Sequence, residues 1–461
     1  MERARQHGWL ALPLAALAAA WLTAFAYWPG LMSWDAIRQY SEAITGDIDD
    51  WHPPLMQWIW ARLDRVHPGP TPMLLLQLGL YWGGLALLAA IIWKQGRPRL
   101  AWALLACGLL PLGMALMGAV LKDCLMAGAL LTAAGLLAVR VTRGGRIPAL
   151  LGIPLLLAAS ALRFNGFAAC LPLMVALLPD RYWRTWPRFA LTSLLATAAL
   201  MAAMPIANRL IGAKPSGVEL SLIIFDLGGI TEHSGTNVFP AQLAVPDPVR
   251  VNHGCYRPNK WDSYSDWVEP ECPLGWSAWT ETVTPTGLRP YQFWARALLS
   301  HPIAYVSHRL AHFAINARLV PLSDTIERPV PVKNAPNPWA FPLTPNPLLT
   351  ALDTLAVASA HTPMGWPIVW IALAAGTLFL GWRVPSARLI VPLALSALLY
   401  GGGYLVFSVA AELRYHLWTE LAAALATVLV VGEGRAIPPR RWLLAYAPAA
   451  TITLIAIAAR L

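Results

Sequence analysis

A carboxylate, Asp35, stands shortly after the first apolar run, within W-P-G-L-M-S-W-D-A-I-R-Q-Y. A short way on lies Asp49-Asp50-Trp51-His52-Pro53-Pro54. A carboxylate held at a membrane surface can take the proton of an attacking hydroxyl or amine, or bind a divalent cation through oxygen. Adjacent acids with a histidine and two rigid prolines suit the fixed wall of a site, with Asp50 and His52 as lining groups. The bland alternative makes Asp35 a capping or solvated helix residue beside Ser33, and the acidic cluster a polar loop ended by its prolines.

Three cations form a second set. Leu121-Lys122-Asp123, Leu162-Arg163-Phe164-Asn165-Gly166 and Ala411-Glu412-Leu413-Arg414-Tyr415-His416 are short charged links between apolar runs. Guanidinium and ammonium groups bind phosphate through charge-assisted hydrogen bonds. Lys122, Arg163 and Arg414 could therefore grip a lipid phosphate at headgroup depth, with Asp123, Asn165, Tyr415 and His416 lining the same cavity. Against this stand snorkelling and local pairs, Lys122 with Asp123 and Arg414 with Glu412.

His301, His308, Arg309 and His312 fall on a stretch, Pro290–Val320, that reads as one long amphipathic helix. His308 and His312 are four apart and share a face. A metal pair is conceivable there; solvated histidines are the simpler reading. Asp226, in an otherwise apolar run, either lines the site or faces water. The chain carries no G-x-x-x-x-G-K-[ST], no G-x-S-x-G and no H-E-x-x-H, which argues against ATP hydrolysis by this chain.

These residues must be positioned by membrane helices. The chain has 461 residues, 57% hydrophobic and 13% charged, against about 25% charged in a soluble domain. Mean hydropathy is +0.52. The fold class is an all-α polytopic membrane protein with about eleven spans, at roughly 9–28, 72–93, 100–120, 124–140, 147–163, 166–179, 189–209, 364–382, 389–410, 417–432 and 442–459. The first span reads as retained, without a clear small-x-small cleavage site. The 23 tryptophans suit interfacial anchoring.

The net charge of +10 reports topology rather than nucleic-acid binding. Arg3 and Arg5 precede the first span. Lys94, Arg97, Arg99, Arg140, Arg143, Arg146, Arg181, Arg184, Arg188, Arg383, Arg388, Arg435, Arg440 and Arg441 fall in short links on one side if the spans alternate. That side is cytoplasmic by the positive-inside rule, with the N-terminus inside and the C-terminus outside. Lys122, Arg163 and Arg414 run against this bias.

The chain divides into a transmembrane module at 1–209, an external segment at 210–363 and C-terminal helices at 364–461. The first external loop, about 29–71, holds helical stretches Ser33–Ile44 and Leu55–Val66 that lie along the membrane surface. In the second, Val218–Ile230 is apolar but too short to span, and 321–348, rich in Pro and Asn, reads as extended loop. Cys255 and Cys272 are a disulfide candidate in an external segment. Cys107, Cys124 and Cys170 read as packing residues.

The ordered pattern resembles the GT-C superfamily of integral-membrane glycosyltransferases, such as protein O-mannosyltransferases and aminoarabinose transferases. It comprises Asp35 after span one, His52-Pro53-Pro54-Leu55, Lys122-Asp123, Arg163-x-Asn165-Gly166 and Arg414-Tyr415. The paired acidic motif usual in the first loop is reduced here, because Ala36 follows Asp35. The resemblance implies a polyprenyl-phosphate-linked sugar as donor, Asp35 as general base or acceptor-orienting group, and Lys122, Arg163 and Arg414 on the donor phosphate. It implies inversion at the anomeric carbon. The partners are that donor, membrane lipids and an extracytoplasmic glycan, lipid or protein acceptor, with no nucleic acid. No cofactor is certain, and a divalent metal is an option. The location implied is the bacterial inner membrane with a periplasmic site. The competing readings are a transporter or flippase of a lipid-linked saccharide, whose cationic vestibule would also bind phosphate, and a related glycan polymerase or ligase.

Overall fold

The computed structural model describes residues 8–322 and 327–461; Arg3 and Arg5 lie outside them. Among the described residues the chain is helical, with isolated β-bridges in place of any strand. It is a polytopic membrane protein. Among the described residues, seven helices are long and apolar enough to cross a bilayer: Gly8–Ala26, Thr71–Lys94, Lys122–Arg143, Trp186–Ile211, Ala387–Phe407, Leu413–Gly432 and Pro439–Ala458. The run expected at 100–120 is a pair of helices bent by 58° at Leu110, where Pro111 opens the second.

Three other expected spans are helices too short for a membrane core about 30 Å thick. Ile147–Ser160, Gly166–Leu177 and Pro367–Gly381 have 14, 12 and 15 residues. At about 1.5 Å per residue they reach only about 18–23 Å. Lys122 and Asp123 belong to the first turn of a helix rather than to a link.

Cα packing divides the chain into two compact units. The first comprises Met1–Lys214, Thr325–Gly402 and Leu413–Leu454. Its Thr71–Lys94 and Lys122–Arg143 helices pack most closely, because glycines let their backbones meet: a Cβ on Gly84 would lie 2.4 Å from the Thr132 nitrogen. The first loop forms two helices, Trp34–Thr45 and Leu55–Asp64, as its periodicity predicts. Tyr40 donates to Asp64 at 2.8 Å, and Gln39 donates to Gln57 at 3.2 Å between them. The described part of the Pro/Asn-rich stretch, from 327 to 346, is extended, yet it packs on this loop; residues 323–326 lie outside the described residues. Asn334 accepts from the Met32 N–H at 2.8 Å, and Trp339 meets the Tyr40 ring edge-on. It is followed by a helix that the sequence reading did not foresee, Pro347–Ala360.

The second unit comprises Pro215–Asp324, Gly403–Glu412 and Ile455–Leu461. The apolar run at 218–230 becomes a buried helix, Glu219–Ser234. The expected single helix at 290–320 is two, Pro290–Ser300 and Pro302–Asn316. Pro302 lacks an N–H, and His301 leaves helical geometry at φ −133°. Cys255 and Cys272 are joined by a disulfide, and Cys107, Cys124 and Cys170 are buried free thiols.

Candidate active site

The first unit gathers the two sets of residues read from the sequence. Ser33 caps the Trp34–Thr45 helix, its hydroxyl accepting from the Ala36 N–H, which puts Asp35 in the first turn. There the carboxylate sits at the positive end of the helix. The backbone just before it is pinned to the segment before Lys122: Leu31 donates to the Gly118 carbonyl at 3.2 Å, and Val120 donates back to Leu31 at 2.9 Å. Gly30 permits this approach. Its φ is +132°, and a Cβ would stand 2.9 Å from Pro70 and 3.1 Å from Val120. Residues about ninety apart in sequence are thereby set side by side.

Asp35 lies between cations. Its Oδ2 is 2.8 Å from an Arg414 guanidinium nitrogen and 3.7 Å from Lys122 Nζ; its Oδ1 is 3.8 Å from His52 Nε2. Lys122 Nζ donates to His52 Nδ1 at 2.8 Å. Arg163 pairs with Asp123 at 3.0 Å and lies 4.4 Å from the centroid of the Tyr415 ring, which Arg414 also approaches at 5.5 Å. Asn165 and His416 are buried at the starts of the helices that follow Arg163 and Arg414. Asp35, His52, Lys122, Arg414 and, through Tyr415, Arg163 with Asp123 therefore form one cluster, while Asp50, two residues before His52, donates its N–H to the Lys214 carbonyl. Lys122 and Arg414 pair with Asp35. Asp35 remains 27% exposed at its side chain, while Lys122 and Asp123 are 7% and 2%. The carboxylate is the accessible member.

Burial alone would raise the Asp35 carboxyl, but the Arg414, His52 and Lys122 charges outweigh it and hold the group well below the usual carboxylate range. Burial and then the Lys122 charge push His52 well below its ordinary value. The imidazole is neutral and accepts from the lysine. Asp35 is thus an ion-paired carboxylate in this state, not a poised base.

A layer behind the cluster escaped sequence reading. Gln57 donates to Glu42 at 3.0 Å and to the His52 carbonyl at 3.4 Å, and Glu42 takes Arg38 at 3.0 Å. Arg38 also reaches Asp49 at 2.6 Å. Gln39, Glu42 and Gln57 are polar side chains buried at 0%, 7% and 0%. Such groups persist only when mutually bonded, and they fix the loop that carries His52. Their one sequence signal is polar residues on the inner face of an amphipathic helix.

The donor set around Asp35 does not fit a divalent cation. Its neighbours are a guanidinium, an ammonium and an imidazole, where a metal needs further oxygen ligands. No group of three or more His, Cys, Asp or Glu among the described residues could hold a metal.

In the second unit His308 and His312 are buried rather than solvated, whereas His301 is partly exposed. Asp226 is fully buried and pairs with Arg309 and with His308 at 3.2 Å, and Trp294 donates to it at 2.8 Å. It neither faces water nor stands alone. Tyr256 meets His308 Nδ1 at 2.9 Å, and His312 Nδ1 donates to the Pro258 carbonyl at 2.7 Å. These groups form an internal network of the unit.

Neither a protein-family model nor a curated protein matches the chain. Among solved structures it is similar to the archaeal oligosaccharyltransferase AglB from Archaeoglobus fulgidus, in complex with an inhibitory peptide and a dolichol-phosphate. The TM-score is 0.38 and the identity 12%, over 99% of this chain and 56% of that one. The chain thus spans little more than half that protein's length. At this score the likeness assigns neither fold nor activity, and the functional reading rests on the site.

Proposed function

We propose that the chain is a GT-C-type glycosyltransferase that moves a sugar from a polyprenyl-phosphate donor to a glycan, lipid or protein acceptor of the cell envelope, outside the cytoplasm. The observation that carries this is the convergence of one accessible carboxylate, Asp35, with Arg414 and Lys122, and with Arg163 beside them on Tyr415.

Such a cluster matches the charge changes of the reaction. The acceptor hydroxyl attacks the anomeric carbon, and its proton passes to Asp35. The bond from that carbon to the phosphate oxygen breaks, with inversion. Polyprenyl phosphate leaves with the electron pair, and Arg414, Lys122 and Arg163 stabilise its growing charge. The resting ion pairs have a consequence. A donor phosphate competes with Asp35 for Arg414 and Lys122, so donor binding loosens the carboxylate and raises its basicity just when a base is needed. His52, neutral and accepting from Lys122, orients the ammonium.

The test uses purified protein in detergent with a synthetic short-chain polyprenyl-phosphate sugar and an envelope acceptor extract. Sugar transfer without a vesicle barrier supports an enzyme. Donor translocation in proteoliposomes without any transfer would overturn the reading in favour of a flippase.

A further inference from the structure

A cavity lies within the first unit, away from Asp35. It has a volume of about 900 Å³, within the usual range of about 300–1,000 Å³ for ligand pockets. Arg140 and Val141 line it, near the end of the helix that Lys122 begins. Eighteen positions of helix separate Lys122 from Arg140, about 27 Å along the axis, so the cavity belongs to the opposite membrane face. That face is the one the arginine bias marks as cytoplasmic.

The lining has two parts. Leu171, Val175, Val391 and Leu395 make an apolar wall. Arg140, Arg184 and Arg388 with Asp180 make a polar rim, three positive charges against one negative. Asp180 is paired with Arg388, and Arg140 donates to the Leu177 carbonyl at 3.2 Å. Arg184 has no acidic partner among the described residues, and its guanidinium is exposed. Two long helices also begin at the cavity. Trp186–Ile211 starts after Thr185, which gives no side-chain cap, and Ala387–Phe407 starts with Ala387 and Arg388. Pro187 has no N–H, and the Phe189, Ala387, Leu389 and Ile390 N–H groups are taken by the Thr185, Val384 and Ser386 carbonyls, so the helix starts contribute the positive ends of their dipoles rather than free donors. Trp186 and Trp382, 76% and 62% exposed, also line the cavity, as amphipathic rings do at a membrane interface.

We infer that this cavity binds an anionic diacyl phospholipid, its phosphate at Arg184 beside the positive ends of the two helices and an acyl chain along Leu171, Val175, Val391 and Leu395. Charge complementarity and the apolar wall next to the rim select a lipid over a free phosphate. The inference is independent of the proposed transfer chemistry.

Native mass spectrometry of the detergent-purified full chain tests it, with equimolar phosphatidylglycerol and phosphatidylcholine. We expect a preference for phosphatidylglycerol of about fivefold, the effect of one arginine at a membrane surface. It is lost in Arg184→Gln and kept in Arg188→Gln, an exposed neighbour outside the cavity lining. Leu395→Trp, which fills the wall, lowers retention of the bound lipid while the melting temperature confirms folding. Equal retention of the two lipids overturns the inference. So does equal loss in Arg184→Gln and Arg188→Gln, which would mean diffuse surface attraction. Preferential displacement of phosphatidylglycerol by a short polyprenyl phosphate would overturn it too, in favour of the carrier lipid.

Discussion

Replacing Asp35 with asparagine separates its two possible jobs. At an effective dielectric constant of about 20, unit charges 2.8 Å apart attract by about 6 kcal/mol and charges 3.7 Å apart by about 4.5 kcal/mol; these are the Arg414 and Lys122 separations. Desolvation offsets most of that gross attraction, and Asp35 is partly exposed, so the net loss of stability is modest. The amide keeps the shape and removes the charge that competes with a donor phosphate. Affinity for a short polyprenyl phosphate, measured by calorimetry, is therefore unchanged or tighter. Turnover falls by about 10²–10⁴, the usual contribution of a positioned base, which is about 3–5 kcal/mol of barrier. Near-normal turnover removes Asp35 from proton transfer. A fall in turnover matched by a fall in donor affinity would show instead that Asp35 only holds the cations in place.

Arg414→Ala or Arg163→Ala should weaken donor-phosphate binding by about 1.5–3 kcal/mol, the worth of a charged hydrogen bond; unchanged affinity in both defeats the phosphate clamp. Gly30→Ala forces a side chain into the left-handed backbone beside Pro70 and Val120, so it should lower both melting temperature and transfer. An unaltered melt would mean that the Leu31–Val120 pairing is dispensable. Breaking the disulfide with Cys255→Ser and Cys272→Ser should cost about 3 kcal/mol, from the loop entropy of a 17-residue separation, read as a lower melting temperature that reductant reproduces in the wild type. Burial pushes His312 from its ordinary 6.5 down to about 3, so below pH 6.5 the unfolded chain binds a proton that the folded chain refuses. Stability is then full above pH 6.5 and falls with acid, by about 2 kcal/mol at pH 5; His312→Asn should flatten that slope in melts between pH 7.5 and 5.

Much of the scaffold was legible because membrane solvation is a strong constraint. Apolar runs become helices wherever the backbone must satisfy itself, and all eleven expected segments contain helix. Length was harder to read: Ile147–Ser160 ends, and Gly166–Leu177 begins, at the turn that holds Arg163 and Asn165. The cations were legible because they break the charge bias, a cost tolerated only where they have partners. Which partner each takes was not, since Arg414 meets Asp35 through folding rather than through spacing. The Asn334 bond to Met32 was equally hidden, because it joins elements remote in sequence, and so was the Gln39–Gln57–Glu42 layer, because polar residues on one helix do not show that the next helix covers them. The break at Pro302 was readable from its missing N–H. The burial of His308 and His312 was not, because an amphipathic pattern shows that a helix has a polar face without showing what covers it.

The most direct test of the central claim is a structure of the full chain with bound polyprenyl phosphate. The account predicts the phosphorus within hydrogen-bonding reach of Arg414 and of Lys122 or Arg163, with Asp35 displaced from its resting pair. A phosphate bound elsewhere, with the Asp35–Arg414 pair intact, would contradict it.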